Sequence, residues 1–149
     1  GAGGAARGIV FGLASEGVEV IISNRTLERA ESLAREAGCQ AAGWDGREKV
    51  RCDIIANSTS LGMYPAVEAT PLAQSAFRAG QVVFDAVYNP RRTRMLREAT
   101  EADCRVVEGL EMFVHQAAAQ FEFWTGVRAS IEVIREAAVA AFDGMREAG

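Results

Sequence analysis

The chain opens on a glycine-rich stretch, residues 1–6 (GAGGAA), that strongly restricts the fold it can adopt. The stretch fits the pattern G-x-G-x-x-A. In this pattern the first glycine permits a tight turn out of a strand, and the second lets a pyrophosphate approach the backbone. The final small residue, Ala6, lets the next helix pack closely on the sheet. A plain strand-to-helix turn is the alternative for this motif alone.

The glycine turn predicts a dinucleotide-binding unit. We expect the phosphates to lie against Gly1, Ala2, Gly3, Gly4 and Ala5. A helix over about residues 5–16 would then point its first N–H groups at them. In such a unit the turn follows the central strand of the sheet, and no residue precedes Gly1 here. We therefore expect residues 1–149 to be a domain fragment that lacks its first strand and leaves two strand edges unpaired.

Short apolar runs alternate with amphipathic segments along the rest of the chain, which is typical of a parallel sheet covered by helices on both faces. The expected strands cover about residues 18–23, 39–42, 53–56, 82–85 and 104–107. The expected helices cover about residues 26–37, 71–77, 93–102, 110–125 and 130–146. The predicted fold class is therefore α/β, a Rossmann-like doubly wound parallel sheet with two C-terminal helices.

Composition excludes several classes of protein. A net charge of −4 argues against a general binder of nucleic acid or anionic membranes. No apolar run approaches the roughly 18 residues of a membrane span. The three cysteines lie far apart in the sequence, and with a single histidine they form no metal-binding pattern. Reduced thiols, no metal site and a cytoplasmic location are the expectation.

The end of the first predicted strand carries the signal for the type of cofactor. An NAD-specific domain usually has Asp or Glu there, whereas this chain has Asn24, Arg25 and Thr26. Arg29 follows Arg25 by one helical turn, so both guanidinium groups can converge on one phosphate. Thr26 can cap the helix and donate to the same anion. This pattern predicts NADP as the cofactor, and a solvated helix start is the alternative for each arginine.

Polar clusters follow the other strands, at the edge of the sheet where α/β proteins bind their ligands. These clusters are residues 57–63 (NSTSLGM), residues 85–90 (DAVYNP) and Gly109, which opens a helix carrying Gln116. The alternatives are a turn or cap for residues 57–60 and a packing role for Tyr88. His115 lies about 100° around the helix from Gln116, so we expect it to pack or to face solvent.

Together these motifs resemble the C-terminal half of shikimate dehydrogenase, in the order and spacing of that family, over nearly the whole chain. The resemblance rests on residues 1–5, 24–26 with Arg29, 57–63, 85–90 with Thr93, and 109–116 leading to Phe121 and 124–126. The sequence of residues 111–113 (EMF) resembles that of shikimate dehydrogenases fused to a dehydroquinate dehydratase domain.

The resemblance implies NADP-dependent reduction of 3-dehydroshikimate to shikimate, an oxidoreductase step on the chorismate pathway of aromatic amino-acid biosynthesis. It implies that cofactor-binding residues are Gly1, Ala2, Gly3, Gly4, Ala5, Asn24, Arg25, Thr26, Arg29, Ser58, Thr59, Ala86 and Gly109. Tyr88 and Gln116 would contact the substrate. The catalytic Lys and Asp of the family belong to an N-terminal substrate domain, so no catalytic residue is expected here. Lys49, the single lysine of the chain, is assigned no role.

Two alternatives to this function stay open. One is a quinate/shikimate dehydrogenase that uses NAD or NADP, because the residues that select the substrate would lie mostly in the other domain. The other is a non-catalytic NADP-sensing Rossmann module, which has no need of Tyr88 and Gln116. A structural α/β domain that binds nothing would leave the five polar motifs at strand ends unexplained.

Overall fold

Strands and helices alternate along the chain in a computed structural model that describes residues 1–147, with side chains up to residue 142. The strands are β1 (Ile21–Asn24), β2 (Gln40–Gly43), β3 (Ile54–Asn57), β4 (Val82–Asp85) and β5 (Arg105–Val107). The helices are α1 (Gly4–Ser15), α2 (Leu27–Ala37), α3 (Arg94–Glu101), α4 (Gly109–Thr125) and α5 (Ile131–Glu147). Short 3₁₀ helices cover Trp44–Lys49 and Gln74–Ala76. Within the described residues, no helix combines the length and apolar character needed to cross a membrane.

All strand pairs are parallel, and they form two separate sheets. In one sheet β1 pairs with β2, with Ile21 opposite Gln40. In the other the order is β3-β4-β5, with Ile54 opposite Val82 and Val82 opposite Arg105. Placed side by side, the order β2-β1, then β3-β4-β5, is that of a doubly wound sheet without the strand between β1 and β3. The predicted fold class is confirmed.

A cavity of about 430 Å³ separates the facing edges of β1 and β3, and we call it the strand gap. Residues 20–23 line one side and residues 54–57 line the other. Ile21 and Ile54 are half-exposed along these edges although both are β-branched apolar residues. At one end of the gap the Gly1 nitrogen donates a hydrogen bond of 2.7 Å to the Ser23 carbonyl oxygen. The expected unpaired strand edges are thus present.

Within residues 1–142, buried side chains form three separate core clusters. The first joins α1, α2 and β1 through residues that include Ala6, Val10, Ile22 and Leu33. The second joins β4 and α3 through residues that include Val83, Met95 and Leu96, and the third joins α4 to α5. Ala6 is almost completely buried, which confirms that the glycine turn ends on a small residue packed against the sheet.

Element boundaries follow the sequence prediction closely, with two exceptions. Residues 71–77 do not form the expected α-helix, and only Gln74–Ala76 is helical, as a 3₁₀ turn. The guanidinium of Arg47 donates to the Pro71 carbonyl oxygen at 2.6 Å and so holds this segment in an irregular path. Residues 18–20 were expected to be part of the first strand, but β1 begins only at Ile21.

Candidate functional site

The glycine turn leaves open space in front of helix α1. Gly3 is the N-cap residue in an extended conformation, and no side chain caps the helix. A Cβ atom built on Gly3 or Gly4 would meet no atom within 4 Å. The start of α1 is therefore uncapped and Gly3 and Gly4 are uncrowded, both of which a phosphate-binding turn requires.

Gly1 has a different role, because it lies in a crowded position. A Cβ atom on Gly1 would lie 2.7 Å from Ser58 Oγ and 2.8 Å from the Ser58 carbonyl oxygen. The absence of a side chain at Gly1 thus brings the end of β3 against the turn. Two predicted cofactor segments, residues 1–5 and residues 58–59, meet at this point.

The predicted 2′-phosphate site is formed by the end of β1 and the start of α2. Arg25, Thr26 and Arg29 are all exposed there. The Asn24 side-chain amide donates to the Thr26 carbonyl oxygen at 2.9 Å and fixes the turn between strand and helix. No carboxylate stands at Asn24, where it would repel a phosphate.

The expected helix cap by the Thr26 side chain is wrong. Thr26 is the N-cap residue of α2, but its hydroxyl makes no capping hydrogen bond. The Arg29 N–H, which such a cap would serve, instead donates to the Thr26 backbone carbonyl at 3.2 Å. The Thr26 hydroxyl is therefore not engaged in capping the helix.

The ends of β3 and β4 are joined by a buried polar network. The Asn57 side-chain amide donates to Asp85 Oδ1 at 2.9 Å, and the Val87 N–H donates to the same oxygen at 3.0 Å. The Thr93 hydroxyl donates to Asp85 Oδ2 at 2.7 Å and also caps α3. Burial raises the pKa of Asp85 above its ordinary value, against the opposing effect of these three hydrogen bonds.

The turn after β3 uses some of the side chains that sequence reasoning assigned to the cofactor. Asn57 Oδ1 accepts hydrogen bonds from the Thr59 N–H and from the Thr59 hydroxyl, at 3.0 and 2.7 Å. The Thr59 hydroxyl also accepts from the Leu61 N–H at 3.2 Å. The turn interpretation is therefore correct for Asn57 and Thr59, and the Ser58 side chain lies against Gly1.

Helix α4 begins in direct contact with the segment after β4. A Cβ atom on Gly109 would lie 2.6 Å from the carbonyl oxygens of Ala86 and Val87. Ala86 and Gly109, both predicted to lie beside the nicotinamide, are thus brought together. Glu108, which no sequence motif singles out, accepts hydrogen bonds from Arg91 at 3.0 and 3.2 Å and thereby ties the loop after β4 to the start of α4.

One predicted substrate residue, Tyr88, packs against α4, and the other, Gln116, lies on that helix. The Tyr88 ring packs against Phe113 and Phe142, with ring centroids 5.3 and 5.2 Å apart, and it is 38% exposed. Gln116 is exposed and lies one helical turn after Phe113. The helical spacing therefore puts Gln116 near Phe113, the residue against which Tyr88 packs. His115 is exposed and, among the described residues, no group of side chains could hold a metal ion.

Two family models match the chain. The model of NADP oxidoreductase, coenzyme F420-dependent, matches residues 1–89, and the model of the shikimate 5′-dehydrogenase C-terminal domain matches residues 109–139. The first covers more than half of the 149 residues. Together with the open glycine turn and the order of the strands, this match defines the class of the protein: it is a Rossmann-type domain of the NADP oxidoreductases.

Curated relatives define the family more closely. The chain is 44% identical to a shikimate dehydrogenase (NADP(+)) of Maridesulfovibrio salexigens, over 91% of this chain and 51% of that protein. It is 45% identical to the chloroplastic bifunctional 3-dehydroquinate dehydratase/shikimate dehydrogenase of Arabidopsis thaliana, over 89% of this chain and 23% of that protein. The chain belongs to the shikimate dehydrogenase family and corresponds to its C-terminal domain. It spans about half the length of the single-function relative.

Solved structures have the same fold. Shikimate 5-dehydrogenase from Thermus thermophilus, in complex with NADP(H) and shikimate, superposes with a TM-score of 0.86 at 37% identity, over 95% of this chain and 53% of that one. Quinate dehydrogenase from Corynebacterium glutamicum, in complex with NAD, has a TM-score of 0.87 at 29% identity, over 94% of this chain and 53% of that one.

Proposed function

We propose that this chain is the NADP-binding half of a shikimate dehydrogenase, which reduces 3-dehydroshikimate to shikimate with a hydride from NADPH. The observation that carries the proposal is the pair of exposed arginines, Arg25 and Arg29, at the start of α2. They stand at the end of β1, where Asn24 replaces the carboxylate of an NAD-specific domain. A 2′-phosphate is the group that such a site selects.

The remaining residues would hold the cofactor and one side of the substrate. The open turn of residues 1–5 fits a pyrophosphate, and Ser58 and Thr59 lie at the adjoining strand end. Ala86 and Gly109 would form the wall behind the nicotinamide. NADPH supplies the hydride when it is bound. Tyr88 and Gln116 would orient the substrate from the surface of α4.

We infer that an N-terminal substrate domain supplies the proton donor, and that the central strand of the dinucleotide-binding unit itself fills the gap between β1 and β3. Exposed apolar side chains near the end of α4 support a packing surface for that domain, since Phe123 is 85% and Trp124 is 74% exposed. On this proposal the 149-residue chain alone does not reduce 3-dehydroshikimate. The free thiols of Cys39, Cys52 and Cys104 support a reducing compartment, the cytoplasm.

A quinate/shikimate dehydrogenase is the second candidate, and the quinate dehydrogenase neighbour in complex with NAD favours it. Arg25 and Arg29 favour NADP for this chain. The preference between shikimate and quinate would be set mainly by the substrate domain. Steady-state kinetics of the longer protein with both substrates and both cofactors distinguishes the two candidates.

The test of the cofactor is a titration with NADPH and NADH of the wild-type protein, Arg25→Ala, Arg29→Ala and Arg35→Ala. A charge-assisted hydrogen bond contributes about 1.5–3 kcal/mol, so each of the first two substitutions should weaken NADPH binding about 10- to 150-fold. NADH binding should change little. Arg35 is the matched control, since it lies in the last turn of the same helix. Equal loss of NADPH and NADH affinity would contradict the proposed 2′-phosphate site.

A further inference from the structure

Among the side chains that the structure describes, one carboxylate is buried at the carboxyl ends of the strands, and the function proposed above does not use it. Asp85 is the last residue of β4 and has no exposed surface. It lies opposite Asn57 in the register of β3 and β4. A buried carboxylate is costly unless it is hydrogen-bonded, and Asp85 accepts bonds from three residues, Asn57, Val87 and Thr93.

The two oxygens of Asp85 serve different parts of the fold. Oδ2 accepts from the Thr93 hydroxyl and so contacts the cap of helix α3, which is part of the scaffold. Oδ1 accepts from the Asn57 side chain and from the Val87 N–H. These last two donors belong to the turns that carry the proposed contacts with the cofactor and the substrate.

The two donors to Oδ1 lie on opposite sides of the proposed site: Asn57 on the cofactor side and Val87 on the substrate side. Asn57 holds Thr59 by two hydrogen bonds, and the backbone between them contains Ser58, which packs against Gly1. Val87 stands between Ala86, at the proposed nicotinamide wall, and Tyr88, at the proposed substrate wall. Asp85 Oδ1 is therefore a shared side-chain contact of the cofactor turn and the substrate turn, beside the backbone hydrogen bond of 2.8 Å from the Ala86 N–H to the Asn57 carbonyl oxygen.

We propose that Asp85 is a positioning residue that sets the geometry of both turns through Oδ1, while Oδ2 contacts the cap of α3. This inference rests on the proposed function, because it assumes that the two turns bind cofactor and substrate. It predicts that loss of Asp85 weakens both binding steps, whereas loss of a neighbour on one side affects only that side.

The test compares Asp85→Ala, Asn57→Ala and Thr93→Val in the longer protein that contains this chain. The readouts are NADPH affinity by fluorescence titration, KM and kcat for shikimate, and the melting temperature. Asp85→Ala should weaken NADPH binding and raise the KM for shikimate, each at least 10-fold. Asn57→Ala should weaken NADPH binding and leave the shikimate KM within about 2-fold, because the bond from Val87 to Asp85 persists.

Thr93→Val is the control on the scaffold side of the carboxylate. It removes the bond to Oδ2 and the cap of α3, and it keeps both bonds to Oδ1. It should lower the melting temperature and leave NADPH affinity and shikimate KM within about 2-fold of the wild type. A merely structural Asp85 would instead make Asp85→Ala behave as Thr93→Val does.

If the Asp85→Ala variant does not fold, Asp85→Asn tests whether Asp85 positions the two turns. Its amide oxygen can take the place of Oδ1 and its amide N–H can donate to the Thr93 hydroxyl, so the fold should persist. Loss of the charge should weaken both binding steps in the same direction as Asp85→Ala, by about 3- to 10-fold. A folded variant at Asp85 with wild-type NADPH affinity and shikimate KM overturns the positioning role. A wild-type protein that fails to bind NADPH or to turn over shikimate overturns the proposed function instead.

Discussion

Gly109 offers the sharpest test of how the site is packed, because substitution by alanine should destabilise the protein at a position where a helix begins. The new Cβ would lie 2.6 Å from two carbonyl oxygens, of Ala86 and Val87. Ordinary contact begins at 3.4 Å, so 3.4 − 2.6 leaves an overlap of 0.8 Å. Both oxygens belong to the backbone, and no side-chain rotation can relieve the overlap.

The expected cost of Gly109→Ala is that of an overpacked site, about 1–3 kcal/mol. For a protein of 150–250 residues this corresponds to a melting temperature lower by about 2–12 °C. Helix α4 or the segment after β4 must shift to make room. That shift moves the proposed nicotinamide wall, so NADPH affinity should fall as well.

Gly8→Ala is the matched control for Gly109→Ala. Gly8 lies inside α1, and a Cβ atom there would meet nothing within 4 Å. Alanine in a helix interior is favoured over glycine by about 0.5–1 kcal/mol, so this variant should melt at a higher temperature than the wild type. Thermal melts and NADPH titrations of both variants test whether crowding at Gly109 lowers stability and NADPH affinity. A Gly109→Ala variant with wild-type stability and wild-type NADPH affinity would refute it.

Three further predictions concern the substrate surface, Asp85 and the strand gap. Gln116→Ala in the longer protein should raise KM or lower kcat for shikimate with NADPH affinity unchanged, whereas unchanged kinetics would favour the NADP-sensing module. Because burial raises the pKa of Asp85 above 3.8, the folded state keeps a proton that the unfolded state has lost. Stability should therefore fall as pH rises from 3.8 through the native pKa of Asp85, and urea unfolding of Asp85→Asn should lack this slope. Five β-branched residues added ahead of Gly1 should raise the melting temperature by pairing with β1 and β3, and the same extension with prolines at alternate positions should not.

The sequence predicts best those elements whose pattern is local. Strand β4 has the predicted bounds, Val82–Asp85, since a short β-branched and aromatic run between turns favours a buried strand. Helix α2 ends at Ala37, and the next residue, Gly38, adopts the left-handed conformation that glycine favours at this position. These features depend on residues close together in the chain, and sequence patterns report such residues directly.

The features that sequence reasoning missed depend on partners far away in the chain. The Pro71 segment is irregular because Arg47 and Glu48 bind its backbone, and no pattern within residues 71–77 reveals them. Residues 18–20 are not in β1, since β2 begins only at Gln40 and the other edge of β1 faces the strand gap. The role of Glu108 depends on Arg91, 17 residues earlier, so no local pattern indicates it.

The candidate site combines residues from both sides of the strand gap. The glycine turn and the arginines belong to the unit of α1, α2 and β1, whereas Asp85 and the proposed nicotinamide wall belong to the unit of β3, β4 and α4. Across the gap, Gly1 provides close contacts by binding Ser23 and packing on Ser58. A dinucleotide that spans both units must therefore hold them at one separation. The width of the strand gap therefore determines whether the two ends of the cofactor can bind to both units at the same time.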